Sequence, residues 1–314
     1  MTKDYRYLLD RIRTAEFELD PFPHLYLCDF LNHDDFAEVS KAEEVQLEVA
    51  TGVERLFSLL EEAGYQPIQF PGCTESKSAY LKALKSSTRI RRTHSACEGK
   101  GMALRLHGPK NETVRSLADF FSSPELHELL KEKFGITRRT IFEGGLHKYL
   151  HGYEISPHPD IRKKALTWML NVNPAYESDS LNIHTHYLKM KPERAFITEL
   201  WKHNPTLETC WVPWDWCTTA KRQVENNSIV FFSPRWDTIH AVKADYDHLS
   251  TQRTQFYGNL WFESDEPQLL AHVPEFGDLD FTGTFQRRKS HSISGRLALA
   301  TKIADRHAKR LRRK

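Results

Sequence analysis

His158 and Asp160 stand two residues apart, either side of Pro159, and His240 follows 80 residues after Asp160. In extended chain, residues i and i+2 project to the same side, so this imidazole and carboxylate can grip one ion from one face. His240 comes soon after the apolar run Ile-Val-Phe-Phe at 229–232, a strand-like context. Two imidazoles and one carboxylate form the facial donor set of non-haem Fe(II) chemistry. Three ligands on one face leave three positions open, two for a chelating oxo acid and one for dioxygen. Taken alone, His-x-Asp says little in a chain with 16 His. Its surroundings say more. Arg253 follows His240 by 13 residues at the head of a strong strand pattern, Tyr149 and Gly152 form Tyr-x-x-Gly just before the pair, and ALTWMLNVN lies just after it.

Such residues need a frame, and the periodicity changes along the chain to supply one. Residues 20–30, DPFPHLYLCDF, read as an opening strand. Residues 34–63 carry Phe36, Val39, Val45, Leu47, Val53, Leu56, Phe57 and Leu60 among many acids, a helix-rich stretch. Ser123-Pro124 starts a helix with Leu126, Leu129, Leu130 and Phe134 on one face and Gly135 at its end. From about residue 138 short strand-like runs take over: RTIFEGGLHKYL, ALTWMLNVN, ETCWVPWDW, NSIVFFSP, TIHAVKA and RTQFYGNLWF. Helices first and strands afterwards predict an α+β chain with a barrel or jelly-roll catalytic half. Residues 174–206 read as an irregular insertion.

These segments, in their order, resemble the iron- and 2-oxoglutarate-dependent dioxygenases, in the branch similar to prolyl 4-hydroxylases. DPFPHLYLCDFLNHDDF resembles that branch's N-terminal strand. YLHGYEISPHPD resembles its Y-x-x-G…H-x-D element, and ALTWMLNVNP the strand that follows. SIVFFSPRWDTIHAV and QRTQFYGNLWF resemble its distal His and Arg elements. The likeness spans roughly residues 18–36 and 138–262. It implies a double-stranded β-helix (jelly roll, cupin-like) core with N-terminal supporting helices. The implied iron ligands are His158, Asp160 and His240. Arg253 would pair with the distal carboxylate of 2-oxoglutarate, a planar partner suited to a guanidinium, with Tyr149 as a phenol donor and Gln255 beside it. Two positions depart from the pattern: Asn171 is read as standing where a Tyr is usual, and Gln255 where a small hydroxyl residue is common. An Asp at 160, rather than the small residue of related halogenases, favours hydroxylation. The implied cofactors are Fe(II), 2-oxoglutarate and O2, with ascorbate as a reductant.

The domain expectation is 1–285 for the dioxygenase unit, helical to about 137 with a β-helix core at about 138–265, and 286–314 for a separate tail. The tail carries eleven Lys or Arg against one Asp, a net +10 within a chain of +2, so residues 1–285 carry −8. Its sequence reads as a basic amphipathic helix, suited to an anionic membrane surface; no nucleic-acid motif accompanies it. His147, His151, Asn171 and Trp236 are candidate pocket residues, while His184, His186 and His203 read as surface His of the insertion. Five Cys (28, 73, 97, 210 and 217) in irregular spacing read as free thiols, and no run of eighteen apolar residues occurs. With a charged N-terminus, this predicts a cytoplasmic protein, peripheral at most to the inner face of a membrane. The expected function is hydroxylation of a small metabolite or a glycan-type or glycolipid-type substrate. The alternatives are peptidyl, prolyl-type hydroxylation, a cupin-type isomerase, or a non-catalytic binding protein on the same fold.

Overall fold

Side-chain caps fix the starts of four helices in the N-terminal half of the chain. In this computed structural model, which describes residues 3–69, 74–85, 100–174, 176–204, 207 and 210–263, the helix expected at Ser123 is α6, Pro124–Phe134. The Ser123 hydroxyl accepts from the Leu126 amide, and Gly135 closes the helix at φ 67°, a left-handed conformation that glycine adopts without strain. The preceding helices are α1 (Tyr7–Thr14), α2 (His33–Lys41), α3 (Val53–Ala63), α4 (Lys77–Leu84) and α5 (Glu112–Phe121). Asn32 and Asn111 cap α2 and α5 in the same way.

The strands are β1 (Leu25–Leu27), β2 (Tyr65–Pro67), β3 (Ala103–Leu106), β4 (Thr140–Tyr149), β5 (Glu154–His158), β6 (Lys164–Asn171), β7 (Thr185–Met190), β8 (Cys217–Gln223), β9 (Ile229–Phe232), β10 (His240–Lys243) and β11 (Arg253–Phe262). They form a seven-stranded sheet, β1-β9-β6-β11-β4-β3-β2, and a four-stranded sheet, β5-β10-β7-β8, with antiparallel pairings throughout. From β4 onward the chain passes back and forth between them: β4, β6, β9 and β11 lie in the large sheet, and β5, β7, β8 and β10 in the small one. That winding is a jelly roll. β1, β2 and β3 widen the large sheet.

Alternation divides the large sheet's two faces. On β11, Phe256 and Leu260 join the core shared with Leu117 and Phe121 of α5 and Leu130 of α6. Arg253, Gln255 and Tyr257 point the other way, into a cavity between the sheets. Trp168 of β6 is stacked on Phe142 and Phe121, with centroids 5.6 and 6.2 Å away. A Cβ on Gly258 would come within 2.4 Å of that indole, so the strand requires glycine there.

Several expectations change. The opening strand shortens to β1. Residues 210–216 of the strand expected at 208–216 are not a strand; Pro213 precedes a 3-10 turn at Trp214–Trp216, and Trp214, Trp216 and Trp236 pack onto a cluster holding Trp201, Cys210, Val212 and Cys217. The stretch 174–206 is not irregular. It contains β7, an interior strand of the small sheet, and helix α7 (Phe196–His203). β7 hides from pattern reading because half-buried His186 and exposed Lys189 interrupt its apolar residues. β8 hides because it is an edge strand with little burial. Cys28, Cys210 and Cys217 are free thiols; Cys73, Cys97 and the tail at 286–314 lie outside the described residues. Among those described, no helix is long and apolar enough to cross a membrane.

Candidate metal centre

His158 ends β5 and His240 begins β10, and these two residues are register partners. Between the pairs His240–His158 and Val242–Ile155, β5 carries one residue more than β10. This bulge turns His158 to the same side as Ile155, against simple alternation. Asp160 lies two residues beyond His158, just past the end of β5 and before the turn at Arg162–Lys163 that leads into β6. Its Oδ1 is 3.9 Å from His158 Nε2, the two imidazole centroids are 4.5 Å apart, and one donor atom from each of the three residues lies within 4.8 Å of the others.

The tautomers favour ligation. His158 Nδ1 lies 2.8 Å from the Ser156 carbonyl oxygen and His240 Nδ1 lies 2.9 Å from that of Thr238. A carbonyl only accepts, so each Nδ1 carries the proton and each Nε2 keeps its lone pair. Burial lowers the pKa of both rings, that of His158 to about 3 with a further push from His240, which keeps them neutral as metal binding requires. For Asp160, burial alone would raise the pKa, but Lys164 and the two His outweigh it and hold the carboxyl well below its usual range. Lys164 Nζ donates to Asp160 Oδ1 at 2.8 Å and to the Tyr257 hydroxyl at 3.0 Å. The Thr167 hydroxyl donates to Asp160 Oδ2 at 2.9 Å.

Arg253 shares the cavity with the triad. Its Nη2 donates to Thr185 Oγ1 at 3.0 Å, and its guanidinium lies over the Tyr149 ring, 4.5 Å from the centroid. It is 3% exposed. Among the described residues no carboxylate pairs with it, and burial lowers its pKa with only tyrosines opposing. A buried cation without a counter-charge is costly, and an anionic ligand removes that cost. The cavity, ≈ 50 Å³, admits a few water-sized groups rather than a bulky ligand. A larger one, ≈ 390 Å³, lies elsewhere, among Arg11, Asn32, Phe36, Asp179 and Glu225, and has none of the triad in its walls.

Tyr149 and Gln255 also line the cavity. Three other candidates do not touch it. His147 sits behind Tyr149, with Nδ1 3.2 Å from the phenol oxygen and Nε2 accepting from Arg105 Nε at 2.9 Å. His151 turns outward, 3.5 Å from Asp245. Trp236 packs between Lys202 and Arg235. Asn171 is the fourth; the β6 residue facing the cavity is Met169, and Asn171 sits at the strand's end, bonded to the carbonyls of Gln223 and Glu225. His184 bonds the Asp179 carbonyl, His186 bonds Thr219, and His203 lies near Glu199. Sequence reading missed Lys164, Thr167, Tyr153, Thr185 and Tyr257. Lys164 has the parity of the outward Trp168, and a bulge at Ala165, where Leu260 and Trp261 pair with Leu166 and Lys164, turns it inward.

No protein-family model matches the sequence, and no curated protein matches it. Among solved structures, the chain is similar to a prolyl hydroxylase from Trichoplax adhaerens, solved with a hypoxia inducible factor peptide fragment, at 12% identity and a TM-score of 0.46, covering 83% of this chain and 94% of that one. It is also similar to a Pseudomonas putida prolyl-4-hydroxylase at 11% identity and a TM-score of 0.39, covering 82% and 98%.

Proposed function

We propose that this chain is an Fe(II)- and 2-oxoglutarate-dependent dioxygenase that hydroxylates an unactivated C–H bond of a small metabolite or glycan-type substrate. The observation that carries this reading is the buried, uncompensated Arg253 in the same cavity as the His158–Asp160–His240 cluster. A passive scaffold has no use for that charge, and a cupin-type isomerase needs no anion anchor beside its metal. The donor set fits the metal: two neutral Nε2 atoms and one ionised carboxylate, each oriented by a partner of its own. With iron and 2-oxoglutarate bound, the site would supply oxidation of C–H to C–OH by O2, with 2-oxoglutarate converted to succinate and CO2. The chain's own residues orient and exclude. Lys164 and Thr167 hold Asp160 by both oxygens, Arg253 fixes one end of the oxo acid, and Tyr149, Tyr153 and Ile155 keep bulk water from it.

The substrate class draws support from the sequence alone, from the basic segment after 285. The same reading puts the enzyme in the cytoplasm with residues 286–314 against an anionic membrane surface; deleting them should abolish binding to anionic liposomes. The central test is spectroscopic. Fe(II) and 2-oxoglutarate added anaerobically, with ascorbate to keep the iron reduced, should give a weak visible charge-transfer band, and admitting oxygen should release succinate. Absence of both overturns the proposal.

A further inference from the structure

The wall of the cavity nearest Arg253 belongs to a network of side-chain amides whose orientations can be fixed one by one. Asn171 Nδ2 lies 3.2 Å from each of two carbonyl oxygens, those of Gln223 and Glu225. Carbonyls only accept, so that atom is the nitrogen and Asn171 Oδ1 faces the other way. Gln255 meets Oδ1 at 2.7 Å and must donate to it through Nε2. Gln223 is satisfied as well, donating to the carbonyls of Met169 and Ser228 at 3.0 and 2.9 Å and accepting from the Tyr187 hydroxyl at 3.0 Å. One atom is left over. Gln255 Oε1 is buried and finds no partner among the described residues, on a residue 1% exposed that lines the cavity beside Arg253. Rotating the amide to hide this oxygen would set it against Asn171 Oδ1, so the oxygen is committed to the site.

We propose that Gln255 is a specificity determinant of the oxo-acid site. It narrows the site's preference for a bare dicarboxylate by favouring a ligand whose far end brings a hydrogen-bond donor beside the group held by Arg253, such as a carboxamide, a hydroxyl or a protonated acid. This rests on the reading of Arg253 as the oxo-acid anchor. A dicarboxylate offers Gln255 Oε1 only more acceptor oxygens, and a buried acceptor left unpaired costs about tenfold or more in binding. A carboxamide end gives up part of its attraction to the guanidinium but satisfies both groups.

The experiment measures dissociation constants for 2-oxoglutarate and for its 5-carboxamide by calorimetry, with Mn(II) in place of iron. Wild type, Gln255→Thr and Gln255→Met are compared. Wild type should bind the carboxamide within about tenfold of the dicarboxylate. Gln255→Thr, which supplies a hydroxyl donor, should shift that ratio towards the dicarboxylate by about tenfold or more. Gln255→Met, which only removes the acceptor, should shift it the same way by less. A ratio unchanged across the three proteins overturns the assignment. So does a wild-type preference for the dicarboxylate beyond tenfold, which decides the matter alone if neither variant folds. Failure of wild type to bind either acid is a different result: it removes the dioxygenase reading itself.

Discussion

At the scale of single residues, Arg253 makes opposite demands on the empty and the loaded protein. Replacing it with Met removes a buried charge that no carboxylate among the described residues offsets, so Arg253→Met should leave the melting temperature of the metal-free protein unchanged or higher. The same change should weaken 2-oxoglutarate binding by about thirtyfold or more, since removing one partner of a buried charge pair costs about 2–5 kcal/mol. A large fall in melting temperature with binding intact would make the arginine structural. Lys164 predicts the reverse pattern. It is the cation nearest Asp160 Oδ1, and Lys164→Met strands a buried carboxylate at a cost of about 3–5 kcal/mol. Mn(II) returns positive charge to Asp160, so it should raise the variant's melting temperature more than the wild type's, as differential scanning calorimetry would show. Asp160→Ala should lose high-affinity metal binding and all 2-oxoglutarate-dependent hydroxylation; normal turnover in that variant, with iron still required, would remove Asp160 from the ligand set.

Among the elements, the strands carry the site by alternation and the bulges correct it. Gly258 tests the alternation. Its neighbours Tyr257 and Asn259 face inward, so any side chain at 258 meets Trp168, whose ring atoms lie 2.4 Å from an added Cβ. Gly258→Ala should destabilise the fold by about 1–3 kcal/mol in urea unfolding. Unchanged stability would mean the Trp168–Phe142–Phe121 stack gives way freely. The same geometry explains what sequence could reveal. β11 was legible because Phe256, Gly258 and Leu260 alternate with the polar Gln255, Tyr257 and Asn259, and Arg253 stood out at its head by its distance from His240. α6 was legible because Ser123, Pro124 and Gly135 are local signals that need no tertiary context. His158 and Asp160 stand out by residue type and by their spacing of two, and the fold brings both beside His240. Lys164 was not legible, because its inward aim depends on a bulge at Ala165 that only pairing with β11 creates. β7 was missed because it trades apolar alternation for His186 and Lys189, and its place between β10 and β8 is set by the sheet.

Over the whole molecule, the helices and the large sheet also enclose a lysine that is remote in role from the cavity. Lys148 of β4 is 0% exposed. Its Nζ donates to the Val45 carbonyl at 2.6 Å and the Thr254 hydroxyl at 2.9 Å and lies 5.5 Å from the Tyr65 ring centroid. No carboxylate stands beside it among the described residues, and burial lowers its pKa from 10.5 to about 7. Between those values the unfolded chain holds a proton at Lys148 that the folded chain has released. Unfolding then takes up protons, and stability must rise with pH across the window from about 7 towards 10.5. Below pH 7 both states are protonated and the folded one bears the full cost of a buried ammonium. Other groups titrate too, so the informative quantity is wild type minus Lys148→Met, measured by urea unfolding at pH 6, 7, 8 and 9. That difference should be flat below pH 7 and grow in favour of wild type by about 2–3 kcal/mol between pH 7 and 9, a shift of several degrees in melting temperature for a domain of this size. A difference independent of pH would mean that Lys148 stays charged inside the fold. The backbone around Val45 would then have to solvate a full cation with one carbonyl, one hydroxyl and one aromatic face.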